Sequence, residues 1–335
     1  MKVTIEDIAC IANVSKATVS RVLNDRPGVS EATKKRVNAI IEEHGYNPNL
    51  LSRGVSPSRT RTIGMIIPDI MNPFFPALVK SVDTELSAQG YSIMLCNTDS
   101  DLVREKLAIA NCISKRVDGV IFASSLIDAR EVRNMLRRYN MPCVYVDRGA
   151  IDPVVDACAF VDNEYGAFVA VNCLLQNGHD HVAFISGPTG ISTSKERLHG
   201  YLDALKQNGV ELNRNLIYRG DFTLKSGEEA IETLLKTETF TALFAANDVM
   251  AMGAIRALKA HGLRVPDDVE VIGFDNISMC EMTDPTLSTM EQPLQEMGVM
   301  AVRLILNLLA GKPVGHFSPR IRPRLILRNS TRKHD

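Results

Sequence analysis

Between Thr4 and Gly45 the apolar side chains recur every three or four residues in three short runs. Ile5, Ile8, Ala9 and Ala12 mark the first, and Val19, Val22 and Leu23 the second. The third extends from Glu31 to about His44 and is closed by Gly45. This period predicts three helices. Thr4 with Asp7 three residues on resembles a capping box that starts the first helix at Ile5. Ser15 caps the second, which runs to about Asn24, and Ser30 caps the third. Asn13-Val14 is a short break, and Asp25-Arg26-Pro27-Gly28 a loop. Pro48 then opens the short stretch Asn49 to Val55, and Ser56 to Thr62 is polar, basic and broken by proline, as a linker is.

From Ile63 the pattern changes to short apolar runs separated by amphipathic stretches. The runs predict strands at Ile63–Pro68, Tyr91–Cys96, Gly119–Ala123, Cys143–Asp147, Ala159–Asp162, Val182–Ser186, Ile217–Gly220, Ala242–Ala246 and Val269–Phe274. Helical stretches lie between most of them, such as Phe75–Gln89, Glu164–Asn177, Glu196–Asn208, Gly227–Leu235 and Ala251–His261. Such alternation implies parallel sheets with helices on both faces, and the length suits two subdomains.

Composition narrows the classes. At 335 residues and 45% hydrophobic, the chain is expected to be globular with two or three domains. No apolar run is long enough for a membrane span. The opening MKVTIEDIAC lacks the apolar core of a signal peptide, so a cytoplasmic protein is expected. Seven cysteines without paired spacing read as reduced core residues, with neither disulfides nor metal expected. The net charge of −1 is unevenly spread: residues 1–62 carry +4, leaving −5 for the rest. A basic segment on an acidic body points to a polyanionic partner for that segment alone.

The candidate chemistry sits in two places. Two short helices joined by a tight turn and completed by a third suit a helix-turn-helix. The second helix would present Lys16, Ala17 and Arg21 to base edges, with Ser15, Thr18, Ser20 and Asn24 suited to phosphates. The plain alternative is a three-helix bundle whose polar face is only solvated. In the larger part, open parallel sheets bind ligands beyond the carboxyl ends of their strands. There the sequence places Asp69 to Phe75, Asp147-Arg148, Asp162-Asn163, Gly187 to Gly190, Asp221-Phe222, Asn247-Asp248 and Asp275-Asn276. Carboxylate, amide and guanidinium groups can hold neighbouring hydroxyls while Phe rings cover an apolar sugar face. Taken one at a time, such residues are also ordinary helix caps and turns. No G-x-G-x-x-G, no P-loop and no nucleophile–base set is present, so neither a cofactor nor enzymatic turnover is expected.

The stretch VTIEDIACIANVSKATVSRVLNDRPGVSEATKKRVNAIIEEHGYNPN resembles the DNA-binding headpiece of the LacI/GalR family of transcriptional regulators. Its most specific run is Asn13-Val14-Ser15, Thr18-Val19-Ser20-Arg21-Val22-Leu23-Asn24. The resemblance implies that Lys16, Ala17 and Arg21 face the bases. The DNA-facing set it supports is Thr4, Ser15, Lys16, Ala17, Thr18, Ser20, Arg21, Asn24, Asn49, Arg53 and Val55. It also implies that residues 47–62 form a hinge helix on DNA, paired with a second copy, and wedge an apolar side chain into the minor groove. The family usually has leucine, sometimes methionine, where this chain has Val55. A shorter, poorer helix former there implies a milder kink or weaker binding.

Segments Pro68 to Phe75, Arg116 to Gly119, Asn177 to His179, Asn247 to Gly253 and Val271 to Asn276 are similar to the family's effector-binding core, which is shared with periplasmic sugar-binding proteins. The implied fold is a small all-α helix-turn-helix headpiece (1–46), a hinge (47–62) and an α/β, two-lobed, parallel-sheet type I periplasmic-binding-protein-like domain (63–335). The lobes are expected at about 63–161 with 292–320 and about 162–291 with 321–335, joined by three crossovers. The resemblance makes Arg197 and Asp275 polar anchors for an effector. It adds Asn247, Thr193, Asp147, Arg148 and Gln292 as contacts and Phe74, Phe75 and Phe222 as ring-packing residues. Ile191 stands where a purine-responsive relative has arginine, which weighs against a purine. The implied partners are palindromic double-stranded operator DNA, a sugar-like effector and a second copy of the chain. No leucine-heptad tail follows Arg324–Arg328, so a dimer and no coiled coil is expected. The alternative effector is a nucleoside or sugar phosphate held by Arg148 and Arg197. A transporter's solute-binding protein fits poorly with the helix-turn-helix.

Overall fold

The computed structural model describes residues 4–23, 26–44, 59–123, 126–147, 157–312 and 320–332. Asn24, Asn49, Arg53, Val55 and Arg148 lie outside them, as do Gly45, Pro48 and most of the expected hinge. The chain divides into two compact units, residues 1–60 and 61–335.

In the first unit, α1 spans Ile5–Ile11, α2 Lys16–Leu23 and α3 Glu31–Glu43. The capping box forms as the sequence suggests. The Asp7 amide donates to Thr4 Oγ1 (3.2 Å) while the Thr4 amide donates to Asp7 Oδ2 (2.8 Å). Ser15 Oγ accepts from the Thr18 amide at 3.1 Å, and Ser30 Oγ from Thr33 at 3.3 Å. Each cap satisfies a backbone N–H that the first helical turn leaves without a partner. Asn13 takes a left-handed φ of 49° between α1 and α2, a conformation asparagine tolerates. Ile8, Ala9, Ala12, Val19, Val22 and Val37 are buried together as a small core, with Leu23 and Ile5 packed at its edge.

The second unit holds two sheets. The first has strand order β2-β1-β3-β4-β5, all parallel, with β1 Thr62–Ile67, β2 Ser92–Asn97, β3 Gly119–Phe122, β4 Cys143–Val146 and β5 Cys158–Ala159. Helices α4 (Phe74–Ala88), α5 (Leu102–Ser114) and α6 (Ala129–Arg137) follow its first three strands. The second sheet has order β11-β10-β9-β8-β6-β7. Its strands are β6 Val182–Ser186, β7 Ile217–Arg219, β8 Ala242–Ala245, β9 Glu270–Asp275, β10 Ser288–Glu291 and β11 Arg324–Ile326. Between or beside them run α7 (Asn163–Gln176), α8 (Ser192–Gln207), α9 (Leu224–Thr237) and α10 (Asp248–Ala260). Near-continuous apolar strands such as β3, β6 and β8 are fully buried, as parallel strands covered on both faces are.

The chain passes between the sheets at Val161–Asn163 and again at Gln292–Pro293, where it enters α11 (Leu294–Leu309). Helix α11 packs on α4 and on β3, β4 and β5. The chain then returns to the second sheet, and Ile321 bridges to Val161 on the way. Among the described residues no helix is long and apolar enough to cross a membrane.

Two strands were not among those expected from the sequence, and one of them is not parallel. Strand β10 is polar in sequence yet buried, and β11 pairs with it antiparallel at the edge. The polar residues after Arg328 are docked: Ser330 and Thr331 are buried. Ser330 Oγ donates to the Val271 carbonyl (2.6 Å) and accepts from the Ser288 amide (2.8 Å). Arg332 reaches buried Glu270 at 2.6 Å. Ser330→Ala strands two buried backbone groups, so it is expected to cost about 2–4 kcal/mol of folding stability. Urea unfolding checks this, and an unchanged midpoint would show that the tail adds nothing.

Candidate functional site

On α2 the exposed side is Lys16, Ala17, Ser20 and Arg21, with Ser15 exposed before it and Thr18 half-buried. Val19 and Val22 face the core. The helix therefore presents the expected residues outward on one continuous face. Three of them are also used internally. Ser15 and Thr18 hydroxyls meet at 2.9 Å in the cap, and Lys16 Nζ is ion-paired with Glu6 of α1. That pairing holds the Glu6 carboxyl below its usual range. Thr4 is exposed but committed to its capping box.

In the larger unit the polar set gathers where the strands of the second sheet end. Arg197, on the inner face of α8, is only 3% exposed. Its Nε donates to Asn163 Oδ1 at 2.9 Å and its Nη1 donates to the Ala246 carbonyl. The guanidinium lies 3.7 Å over the Phe274 ring, and Nη2 stands 3.8 Å from Asp275 Oδ1. Gln292, at the crossover into α11, donates from Nε2 to the same Asp275 oxygen at 2.7 Å. Asp275 has φ 123°, a strained conformation for a residue with a side chain. Asn276 follows with φ 56° and donates to Glu291 at 3.1 Å. Asp147, after β4, has φ 65° and is buried near enough to Asp275 to act on its charge.

Asn247 caps α10, its Oδ1 accepting from the Met250 amide (2.9 Å) and its Nδ2 donating to the Phe222 carbonyl (3.1 Å). Both ends of that amide therefore hold the local fold. Phe222, with φ 71°, lays its ring against Gly187: a Cβ there would stand 2.2 Å from Phe222 Cζ and 2.4 Å from Ser194 Oγ. Thr193 is buried in the first turn of α8. The two α4 rings differ from expectation. Phe74 and Phe75 pack edge to face at 5.1 Å inside the hydrophobic core, and Phe75 is 1% exposed. Adjacent helical positions point about 100° apart, so a pair of neighbours does not share one wall.

Three participants stand outside the effector set named from the sequence. Asn163 orients Arg197, Phe274 lies under it, and Asp248 is buried with bonds to Thr289, the Ile277 amide and Cys280. Asn163 and Asp248 stand among the polar groups that the sequence placed at strand ends, but neither was carried into that set. Phe274 reads only as strand core.

Burial pushes the Asp275 carboxyl up to about 8, against the pull of Arg197 from α8 and with added repulsion from Asp248 of α10 and Asp147 beyond β4. Burial raises Asp248 as well. A carboxyl raised in the folded chain holds a proton that the unfolded chain has lost. Its contribution to stability therefore falls as pH rises from about 4 toward the raised value. Asp275→Asn is expected to flatten the decline in melting temperature between pH 5 and 8. An identical slope in wild type and variant would show that Asp275 does not titrate in that window.

Arg197, Asp275, Gln292, Asn247, Asp147 and Thr193 are each buried without a ligand. Surface hollows lie elsewhere, one of about 410 Å³ lined by Asp162, Glu164, Tyr165, Phe168, Asp203 and Arg320. The buried set can grip vicinal hydroxyls with a cation, a carboxyl and the Gln292 amide. Among the described residues no group of three or more His, Cys, Asp or Glu side chains could hold a metal.

Residues 4–49 match the family described as "Bacterial regulatory proteins, lacI family", and residues 60–326 match "Periplasmic binding proteins and sugar binding domain of LacI family". The chain is 36% identical over 335 residues to the HTH-type transcriptional repressor PurR of Aliivibrio salmonicida, covering 98% of this chain and 99% of that protein. Among solved structures it is similar to a lac repressor dimer bound to operator and the anti-inducer ONPF, with TM-score 0.88, 28% identity and 99% of each chain covered. It is also similar to a complex of the transcriptional regulator CelR with cellobiose, with TM-score 0.73, 32% identity and 98% and 99% of the chains covered.

Proposed function

For a chain that belongs to the LacI family of bacterial regulatory proteins, and is thus a sequence-specific DNA-binding transcriptional regulator, we propose a repressor of carbohydrate-utilisation genes controlled by a sugar-like effector. The observation that carries this reading is the buried Arg197–Asp275–Gln292 set between two lobes, in a chain whose headpiece presents Lys16, Ala17 and Arg21 outward. The relative bound to cellobiose supports a sugar. The lac repressor dimer on its operator supports a dimer on a palindromic site, since one recognition helix reads only a few base pairs. The protein works in the cytoplasm and releases its effector unchanged.

Control is by linkage. The effector favours the lobe arrangement that encloses Arg197 and Asp275, and that arrangement sets how readily two headpieces bind DNA together. Effector and operator then change each other's affinity by the same factor. A second reading, a nucleoside or sugar phosphate as effector, is favoured by the cationic Arg197 buried at the site.

The test is selection of bound sequences from a random duplex pool by the full-length protein, with and without a panel of sugars, sugar phosphates, purines and nucleosides. A palindrome whose recovery changes with one sugar supports the proposal. Response to a nucleoside or sugar phosphate alone transfers it to the second reading, and no recovered site at low salt overturns it. On the selected site, Val55→Leu is expected to tighten binding and increase the bend. Equal affinity and bend angle would remove Val55 from the wedge role.

A further inference from the structure

Four of the chain's seven cysteines, Cys96, Cys112, Cys143 and Cys158, belong to one small hydrophobic cluster between the first sheet and the helices α5 and α6. Two of them are brought together by the register of the edge strand. Cys96 on β2 stands beside Ile66 of β1, and Gly64, two residues back on the same face of β1, has no side chain there. Cys112 of α5 fills the space: a Cβ on Gly64 would lie 2.6 Å from its Sγ. Cys96 and Cys112 therefore line the same gap in the cluster, one from the edge strand and one from the helix packed on it. Cys112 is fully buried, whereas Cys96 is partly open to solvent on the outermost strand.

We propose that Cys96 and Cys112 are an oxidisable dithiol, in which Cys96 is attacked by a hydroperoxide and Cys112 resolves it to an intramolecular disulfide between β2 and α5. The Cys96 thiolate attacks the peroxide O–O bond, which breaks to give a sulfenic acid on Cys96 and, after protonation, an alcohol or water. The Cys112 sulfur then displaces the sulfenic oxygen, a second water leaves with the Cys112 proton, and the S–S bond forms. Overall two thiols are oxidised and one peroxide is reduced. The division of labour follows from the surroundings. The neighbouring Cys112 lowers the Cys96 thiol to about 7, while the same contact and burial push Cys112 up. The thiolate is the nucleophile, so the accessible partner is the one made reactive. The disulfide staples an edge strand to the helix that covers it, next to the strand that begins the effector domain.

The experiment treats the reduced full-length protein with one equivalent of hydrogen peroxide, then maps its peptides by mass spectrometry after alkylation. The expected product is a monomeric chain lighter by two hydrogens and linked Cys96 to Cys112. Iodoacetamide labelling of Cys96 in the untreated protein is expected to be half-maximal near pH 7. In Cys112→Ala it moves up by about one unit or more, toward the ~8.5 of an unperturbed thiol. Cys112→Ser keeps a donor of similar size and guards against a folding defect. Oxidation that stops at Cys96 as sulfinic acid, linkage of Cys96 to any other cysteine, or an unmodified chain each overturns the proposal. So does a labelling profile unchanged in Cys112→Ala.

Discussion

Arg197→Ala is expected to leave operator binding in place while abolishing its response to the effector. The guanidinium is buried and fixed by Asn163, the Ala246 carbonyl and the Phe274 face, so it meets a ligand already oriented. Removing it takes away charge-assisted bonds worth about 1.5–3 kcal/mol each. Two such bonds correspond to roughly a 100-fold loss of effector affinity or more. The loss also leaves Asp275 without its neighbouring cation, which pushes that carboxyl further toward its neutral form. Arg197→Lys is not expected to rescue, because an ammonium lacks the planar fork that meets Asn163 and the Ala246 carbonyl together. Fluorescence anisotropy of labelled operator, titrated with effector, reads both quantities. A variant that responds with the wild-type half-saturation would remove Arg197 from the site.

The second large effect is expected at the DNA. Arg21→Ala should relax the preference at one base pair of each half-site by about 1–3 kcal/mol, since a guanidinium that grips guanine discriminates by that amount. Lys16→Ala should do the same at a neighbouring base pair. In the DNA-free protein Lys16 is paired with Glu6, but both side chains are about 60% exposed, and an exposed ion pair competes weakly with the field of a duplex. Selection of bound sequences by each variant separates the outcomes. Loss of preference at one position marks base reading. Uniform weakening across all sequences, with a smaller salt dependence, marks a phosphate contact instead.

Most of the architecture was legible because local chemistry and hydrophobic period agree with it. The α1 capping box, the Ser15 and Ser30 caps and the Val19–Val22 face need only neighbours within four residues, and each forms as read. Eight of the nine strands recognised from apolar runs appear within a residue at either end, while the fifth, expected at Ala159–Asp162, is only Cys158–Ala159. Arg197, Asp275 and Gln292 were named from the resemblance, and the fold brings them into contact across more than ninety residues of chain.

What the sequence determined by itself is therefore what short-range period and side-chain type can encode: three capped helices with a basic outward face, then alternating strands and helices ending in polar groups. What tertiary structure decided is everything that depends on which distant segment a residue meets. Strand β10 looks polar because its hydroxyls are matched by Asp248 and Thr331, and no local pattern announces that pairing. The tail after Arg328 is polar in sequence, yet Ser330 closes backbone bonds from Val271 and Ser288. Phe75 reads as an aromatic beside a binding loop, but helical geometry turns it into the core. Asn163 and Phe274 become parts of the site only because α8 lays Arg197 between them. A buried polar group is stable only with a partner, and that partner is chosen by the fold rather than by the neighbouring residues.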